Sequence, residues 1–195
     1  FAAAFGDYGT PVEQLSSEEA INRLRAQPRM STPLALALDD WAGSLHQLHE
    51  REEAKRMLRI ADAIDGHPWR SQVRAALVAS MPQKEKDETL KKLAAEAPVD
   101  ELEASCFWQL TTELRHRGYL REARAILTRA QSRHPDDFWL NFDLANYCEE
   151  KSPEAVTYFR VALAIRPDNA AAWNGLGLAL VATGKVNEGI ASYER

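Results

Sequence analysis

Apolar side chains recur at intervals of three and four residues along most of the chain, which predicts helices rather than strands. Trp173, Leu176 and Leu180 show this spacing, with the small residue Gly177 between them. Ser16 and Glu19 have the spacing of a capping box, which predicts a helix start. The helices are predicted over 17–26, 33–47, 51–64, 69–80, 84–96, 101–117, 120–133, 137–149, 153–165, 170–182 and 186–195.

The pattern repeats along the second half of the chain. Alanines lie 12 residues before both Pro135 and Pro167, at Ala123 and Ala155. The step from Phe107 to Asn141 is 34 residues, and the step from Asn141 to Trp173 is 32. Small residues at fixed places in two helices allow their backbones to approach closely. Each unit is therefore predicted to be two antiparallel helices whose apolar face must be covered by the next unit. Ala123 and Ala155 should be buried where the two helices meet.

The residues Trp173-Asn174-Gly175-Leu176-Gly177, followed by Gly184 at a turn, resemble the tetratricopeptide repeat (TPR). The resemblance implies an all-α fold: a right-handed TPR-like superhelix of about five antiparallel helix pairs, with a short helical N-terminal segment. The implied domains are an N-terminal cap or linker (1–34), degenerate helix pairs (35–100) and TPR repeats with the last one truncated (101–195).

A second resemblance involves the N-terminal part of the chain. Residues 1–9, 17–20 and 36–42 look like the region that follows the kinase domain in large bacterial Ser/Thr protein kinases. The chain itself contains no glycine-rich loop, His-Arg-Asp or Asp-Phe-Gly motif. It lacks an initial Met and stops within a helical pattern, so we expect it to be cut from a longer protein. We also expect an exposed apolar end around Leu176, Leu180 and Ile190 that is covered by self-association or by a crystal contact.

Composition narrows the classes of function. The net charge of −5 argues against nucleic acid as a partner, because nucleic-acid binding needs a basic surface. No apolar stretch reaches the length of about 20 residues that a membrane span requires, so no membrane partner is expected. Cys106 and Cys148 lack metal-binding spacing and are interpreted as buried free thiols. We expect a cytoplasmic, non-enzymatic protein with no metal and no cofactor.

Two polar clusters have alternative interpretations. His46, His49, Glu50 and Glu53 would share a helix face, where a solvated helix end is favoured over a metal site. The second cluster is a basic run that is either a solvated convex face or a patch for an acidic partner. It consists of Arg115, Arg117, Arg121, Arg124, Arg129 and Arg133.

In the TPR family the first helix of each pair lines a concave groove that contacts peptides. The resemblance therefore implies a peptide groove, whose positions in the repeat that starts at Ala104 include Trp108, Thr112, Arg115 and His116. The positions in the next unit are Trp139, Phe142, Asn146, Glu149 and Glu150, and those in the last are Ala171, Asn174, Leu178, Val181 and Ala182. Trp108, Trp139 and Phe142 are either groove anchors or core residues.

These observations predict a protein-protein interaction scaffold that binds a protein or peptide segment with apolar anchors and an acidic flank. The alternative is a regulatory or substrate-docking segment of a larger Ser/Thr protein kinase.

Overall fold

A computed structural model describes residues 1–149 and 151–195, and all regular structure among them is helical. The chain forms two compact units, Phe1–Leu93 (unit 1) and Ala94–Arg195 (unit 2). The first six helices are α1 (Ala2–Asp7), α2 (Ser17–Arg25), α3 (Ser31–Gln47), α4 (Arg51–Ile64), α5 (Pro68–Val78) and α6 (Gln83–Ala95). The other six are α7 (Trp108–His116), α8 (Leu120–Arg133), α9 (Phe138–Asn146), α10 (Pro153–Ile165), α11 (Ala170–Ala182) and α12 (Val186–Tyr193). No helix in the described ranges is both long enough and apolar enough to cross a membrane.

Unit 1 has a core built mainly from α1 to α4. Helices α3 and α4 pack as a hairpin, and the small residues Ala42 and Ala54 are buried. The predicted capping box is present at the start of α2, where Ser16 accepts from the Glu19 amide and Glu19 accepts from the Ser16 amide. Helix α1 was not predicted, because its sequence matches no repeat position. It is held by Phe5, which is buried and stacks on Trp41 with ring centroids 5.7 Å apart.

A buried network of ion pairs ties together the helices of unit 1. Asp39 on α3 makes a bidentate pair with Arg74 on α5, at 2.8 and 2.7 Å. Asp65, between α4 and α5, pairs with Arg70 at 2.6 Å and with Arg74 at 2.8 Å. All four residues are buried, so loss of one partner would leave an uncompensated charge in the interior. The sequence pattern did not predict this network.

Unit 2 consists of three helix pairs: α7 with α8, α9 with α10, and α11 with α12. The predicted burial of Ala123 and Ala155 is confirmed, with exposed fractions of 0% and 8%. Glycine allows α11 and α12 to approach closely. A Cβ atom at Gly189 would lie 3.0 Å from the carbonyl oxygen of Gly177. Gly175 and Gly177 are also packing positions, since a Cβ at either would overlap an aromatic ring.

One turn geometry recurs after four helices. The residue after the turn donates its amide to a carbonyl five positions back, as in Tyr119 to Leu114 and Lys185 to Leu180, both at 2.8 Å. The residue directly before the donor adopts the left-handed conformation, with φ of 82° at Gly118 and 85° at Gly184. The other two bonds are Thr10 to Phe5 and Glu50 to Leu45.

The turn after α3 has the same bond, but His49 occupies the left-handed position with φ of 64°. His46 lies in the last turn of α3, His49 and Glu50 form the turn that follows, and Glu53 belongs to α4, where it pairs with Arg56. The expectation that these four residues share one helix face is wrong. The shared turn geometry also makes the α3–α4 hairpin a structural counterpart of the pairs in unit 2.

Several boundaries differ from the predictions. The predicted helix 101–117 begins only at Ala104, with a 3-10 helix (Ala104–Phe107) that is followed by α7. The predicted helix 137–149 ends at Asn146. Leu176 and Leu180 are 5% and 2% exposed, so they do not contribute to an exposed apolar end, although Ile190 is 51% exposed. They are buried because α11 packs against both α10 and α12.

Both cysteines are free thiols, as predicted, but only Cys106 is fully buried. Cys148 is half-buried, so the prediction of two buried thiols is correct only for Cys106.

Candidate peptide-binding face

Among the described residues, the predicted groove residues other than Glu149, which follows the end of α9, lie on α7, α9 and α11. We call the solvent-facing sides of these three helices the helix-A face. The seven main candidates are Trp108, Thr112, Arg115, His116, Trp139, Phe142 and Asn146. Arg115, His116 and Asn146 are exposed, and Trp139 is 53% exposed. Trp108, Thr112 and Phe142 are half-buried. Glu150 lies outside the described residues.

An aromatic cluster supports Trp139. Its ring makes edge contacts with Phe138 and Phe142, at centroid distances of 4.9 and 6.0 Å. Phe142 in turn contacts Phe159 of α10 at 5.9 Å, which connects the cluster to the core of the unit. The Arg166 guanidinium lies 5.5 Å from the Trp139 ring centroid. Trp139 is therefore a braced aromatic side chain with much of its surface in solvent.

Trp108 is not part of this cluster. It starts α7, and within the described residues its ring contacts neither Trp139 nor Phe142. The two tryptophans therefore do not belong to one aromatic cluster. The sequence predicted one continuous helix through Trp108, but a 3-10 helix precedes this residue and Trp108 is the first residue of α7.

Leu178 and Val181 extend the apolar part of the helix-A face onto α11. They are 58% and 40% exposed, and they occupy positions that the TPR resemblance assigns to the groove. Asn174 and Ala171 on the same helix are also exposed. The face thus presents three large, exposed apolar side chains, at Trp139, Leu178 and Val181.

The polar end of the face centres on Arg115. Its guanidinium lies 5.4 Å from the ring centroid of Tyr147 on the neighbouring turn, and Nη2 is 3.3 Å from Nε2 of His116. Burial raises the pKa of the Tyr147 hydroxyl, and the side chains of Thr112 and Arg115 oppose this rise. Asn146 donates one amide N–H to the carbonyl of Phe142 at 2.8 Å, so the other remains for a ligand. Arg115 is therefore positioned before any ligand arrives.

Asp143 is a titratable group near this end that the sequence analysis did not select. It is half-buried, and burial raises its pKa from 3.8 to about 6. Asp137 adds to the rise, while the attraction of Arg115 opposes it. The available sequence signal was a single carboxylate within the apolar segment from Phe138 to Ala145.

The basic run does not form one open patch, because most of its members have intramolecular partners. Arg117 pairs with Glu113 at 2.6 Å, and Arg124 pairs with Glu154 of α10 at 2.7 Å. Arg129 donates to the carbonyl oxygens of Ala95 and Ala97 at 3.0 and 2.6 Å, and Arg133 pairs with Asp100. Arg115 is the member of the run that belongs to the helix-A face.

Comparisons with known proteins agree with this architecture. No family model matches the chain. Among curated proteins it is similar to a peroxisomal targeting signal receptor from Eremothecium gossypii, with 31% identity over 108 residues. The match covers 55% of this chain but only 17% of the receptor.

Solved structures provide the fold. MamA from Desulfovibrio magneticus RS-1 aligns with a TM-score of 0.53 and 14% identity, covering 82% of this chain and 91% of that one. YrrB, described as a TPR protein with an unusual peptide-binding site, aligns with a TM-score of 0.51 and 19% identity, covering 80% of each chain. The chain therefore has an all-α, TPR-like helical repeat fold, as predicted.

Proposed function

We propose that this protein is a non-catalytic interaction scaffold whose helix-A face binds a segment of a partner protein. The observation that carries the proposal is the exposure of Trp139, Leu178 and Val181 on neighbouring first helices. Large apolar side chains of this kind anchor interfaces, and tryptophan is enriched among the residues that dominate binding energy. The aromatic contacts that brace Trp139 reduce the entropy that it would lose on binding.

The charges on the face favour a partner with an acidic flank. Arg115 and His116 are exposed beside each other at one end of α7, and Arg166 lies against Trp139. An extended or helical segment with aliphatic anchors would place its apolar residues on Trp139 and Leu178. Its acidic residues would then face Arg115, which can bind a carboxylate with two parallel hydrogen bonds.

The similarity to YrrB supports a peptide-binding function, since that protein is described by its peptide-binding site. The proposal does not extend to YrrB's ligand or to the ligand of the targeting-signal receptor. The descriptions of these relatives mention no kinase, so a role beside a kinase domain stays a prediction from sequence.

Self-association is a second proposed function, and a comparison within the repeat favours it. Val156 and Phe159 on α10 are 6% and 3% exposed. Their counterparts on α12, Ile190 and Tyr193, are 51% and 46% exposed. The exposed surface of α12 is thus apolar at positions that are buried on α10. A second copy of the chain could cover this surface.

Selection from a displayed library of random peptides, followed by calorimetry, tests the first proposal. For a selected peptide, Trp139→Ala and Leu178→Ala should each weaken binding by about 2 kcal/mol if they are true anchors. Ile190→Ala is the matched control, because it removes an equally exposed aliphatic side chain outside the helix-A face. Equal affinities for all three variants, each shown to be folded, would contradict the proposal.

Sedimentation of the same variants tests the second proposal. Ile190→Ala should weaken any self-association, while Trp139→Ala should leave it unchanged. A chain that is monomeric at high concentration would exclude an interface between copies at α12.

A further inference from the structure

Unit 2 contains a cavity that shares no residue with the helix-A face. It lies between α10, α11 and α12 and has a volume of about 430 Å³. Its apolar lining is formed by Leu163, Ala164, Trp173, Leu176, Leu180 and Ala191. Arg160 and Glu188 also line it and join α10 to α12 by an ion pair of 3.0 Å.

The preceding layer, formed by α8, α9 and α10, has different residues at the equivalent places. Aligning Ala123 with Ala155, and Asn141 with Trp173, places Gln131 opposite Leu163. Gln131 and Asn141 are hydrogen-bonded to each other at 3.4 Å, whereas their counterparts Leu163 and Trp173 are apolar. The positions of Gln131 and Asn141 are thus polar in the preceding layer, whereas the equivalent positions in the cavity are apolar.

The wall formed by α12 also differs from its counterpart, α10, in the preceding layer. Aligning Ala155 with Gly189 places Thr157 opposite Ala191 and the half-buried Tyr158 opposite Ser192. A bulky ring in the preceding layer is therefore replaced by a small side chain. The repeat itself does not require an apolar cavity, because the preceding layer packs without those residues.

Polar groups inside the cavity already have partners. The Trp173 indole Nε1 donates to the carbonyl of Pro167 at 2.7 Å, and the Ser192 hydroxyl donates to the carbonyl of Glu188 at 2.9 Å. The interior therefore offers apolar surface rather than free hydrogen-bonding groups. A ligand body that fits it must be apolar as well, since an unmatched polar group would lose its hydration.

The mouth of the cavity carries charged side chains. Arg160 and Glu188 are each about half exposed, and the Arg195 guanidinium lies 5.5 Å from the Trp173 ring centroid. Arg160 and Glu188 thus line the opening, and the Arg195 guanidinium lies against the Trp173 ring, which also lines it. An exposed ion pair of this kind contributes little to stability, so a ligand carboxylate can exchange with Glu188 at low cost.

We propose that this cavity is a binding site for a small amphiphilic carboxylate, with its hydrocarbon body against Leu163 and Ala191 and its carboxylate at Arg160. The volume lies within the range of small-molecule sites, about 300 to 1,000 Å³. The site is independent of the proposed peptide-binding face, because it uses the opposite combination of helices in the layer: two second helices and one first helix.

Calorimetry with decanoate, and with decanol as the uncharged analogue, tests the proposal on the full chain. Ser192→Tyr restores the ring of the preceding layer and should weaken decanoate binding at least tenfold. Ala191→Phe fills the cavity from an exposed position and should do the same without disturbing the fold. Thr157→Phe, at the equivalent place one layer earlier, is the matched control and should bind as the unmodified protein does.

The charge at the mouth is tested separately. Arg160→Gln should weaken decanoate but not decanol, and Glu188→Gln should strengthen decanoate by removing its competitor. Trp139→Ala should leave decanoate binding unchanged, which separates this site from the helix-A face. The proposal is overturned if decanoate does not bind, or if Ala191→Phe and Thr157→Phe bind it equally.

Discussion

Replacing Gly189 with alanine should destabilise unit 2, whereas the same replacement at Gly177 should leave its stability unchanged or slightly higher. Both glycines lie inside helices, so each variant gains about 0.8 to 1 kcal/mol from the better helix propensity of alanine. The two variants differ in what the new methyl group meets. This pair therefore separates close backbone packing from helix propensity.

At Gly189 the methyl group would lie 2.6 Å from Cγ2 of Val181 and 3.0 Å from the backbone oxygen of Gly177. The oxygen belongs to a helix that cannot move without repacking, and overpacking of this kind costs about 1 to 3 kcal/mol. At Gly177 the methyl group would lie 2.5 Å from Cε1 of Tyr193. That ring is 46% exposed and can rotate away, so most of the gain in propensity is kept.

The expected result is that Gly189→Ala is less stable than Gly177→Ala by about 1 to 3 kcal/mol. Urea-induced unfolding of both variants, followed by far-ultraviolet circular dichroism, measures the difference. If Gly189→Ala is as stable as Gly177→Ala, then α11 and α12 are not held at the separation that the structure shows.

Two further predictions concern single side chains. His49→Gly should raise the unfolding free energy by about 0.5 to 1 kcal/mol, because the left-handed conformation costs a non-glycine residue about 1 to 2 kcal/mol, partly offset by the greater backbone freedom of unfolded glycine. Gly118→Ala, at the equivalent turn position, should have the opposite effect in the same thermal unfolding assay. Asp143 has a pKa raised from 3.8 to about 6, so the folded state holds its proton more tightly than the unfolded state does. Its contribution to stability is full below pH 3.8 and is lost as the pH rises through about 6, a change of about 3 kcal/mol at most. Asp143→Asn should be more stable than the unmodified chain at pH 8 and should flatten the pH dependence of urea unfolding; an unchanged profile would show that Asp143 is solvated.

Helices were predictable where the sequence is periodic and bounded by strong local signals. The bounds of α4, α8, α10 and α11 agree with the predicted ranges to the residue, because a glycine, a proline or a charged turn marks their ends. The break before α7 was missed, since residues 104–107 continue the apolar spacing although their backbone is a 3-10 helix. Local pattern does not distinguish these two helix types.

The candidate site was only partly predictable for a related reason. The resemblance to the TPR family implies which positions line a groove, so Trp139 and Arg115 could be selected. The contacts that decide their behaviour come from other helices, and no local pattern encodes them. The same limit applies to the pair between Asp39 and Arg74, which are 35 residues apart.

Differences between equivalent layers indicate which features of unit 2 the fold does not require. The left-handed turn and the small residue at the helix crossing recur, and any stack of helix pairs needs them. Asp143 does not recur: aligned by the same repeat, its counterparts are Gln109 and Gly175. A half-buried carboxylate that lowers stability at neutral pH, and that neither neighbouring layer has, is not explained by packing. Its electrostatic attraction to Arg115 links it to the proposed binding face and offers a reason to keep it.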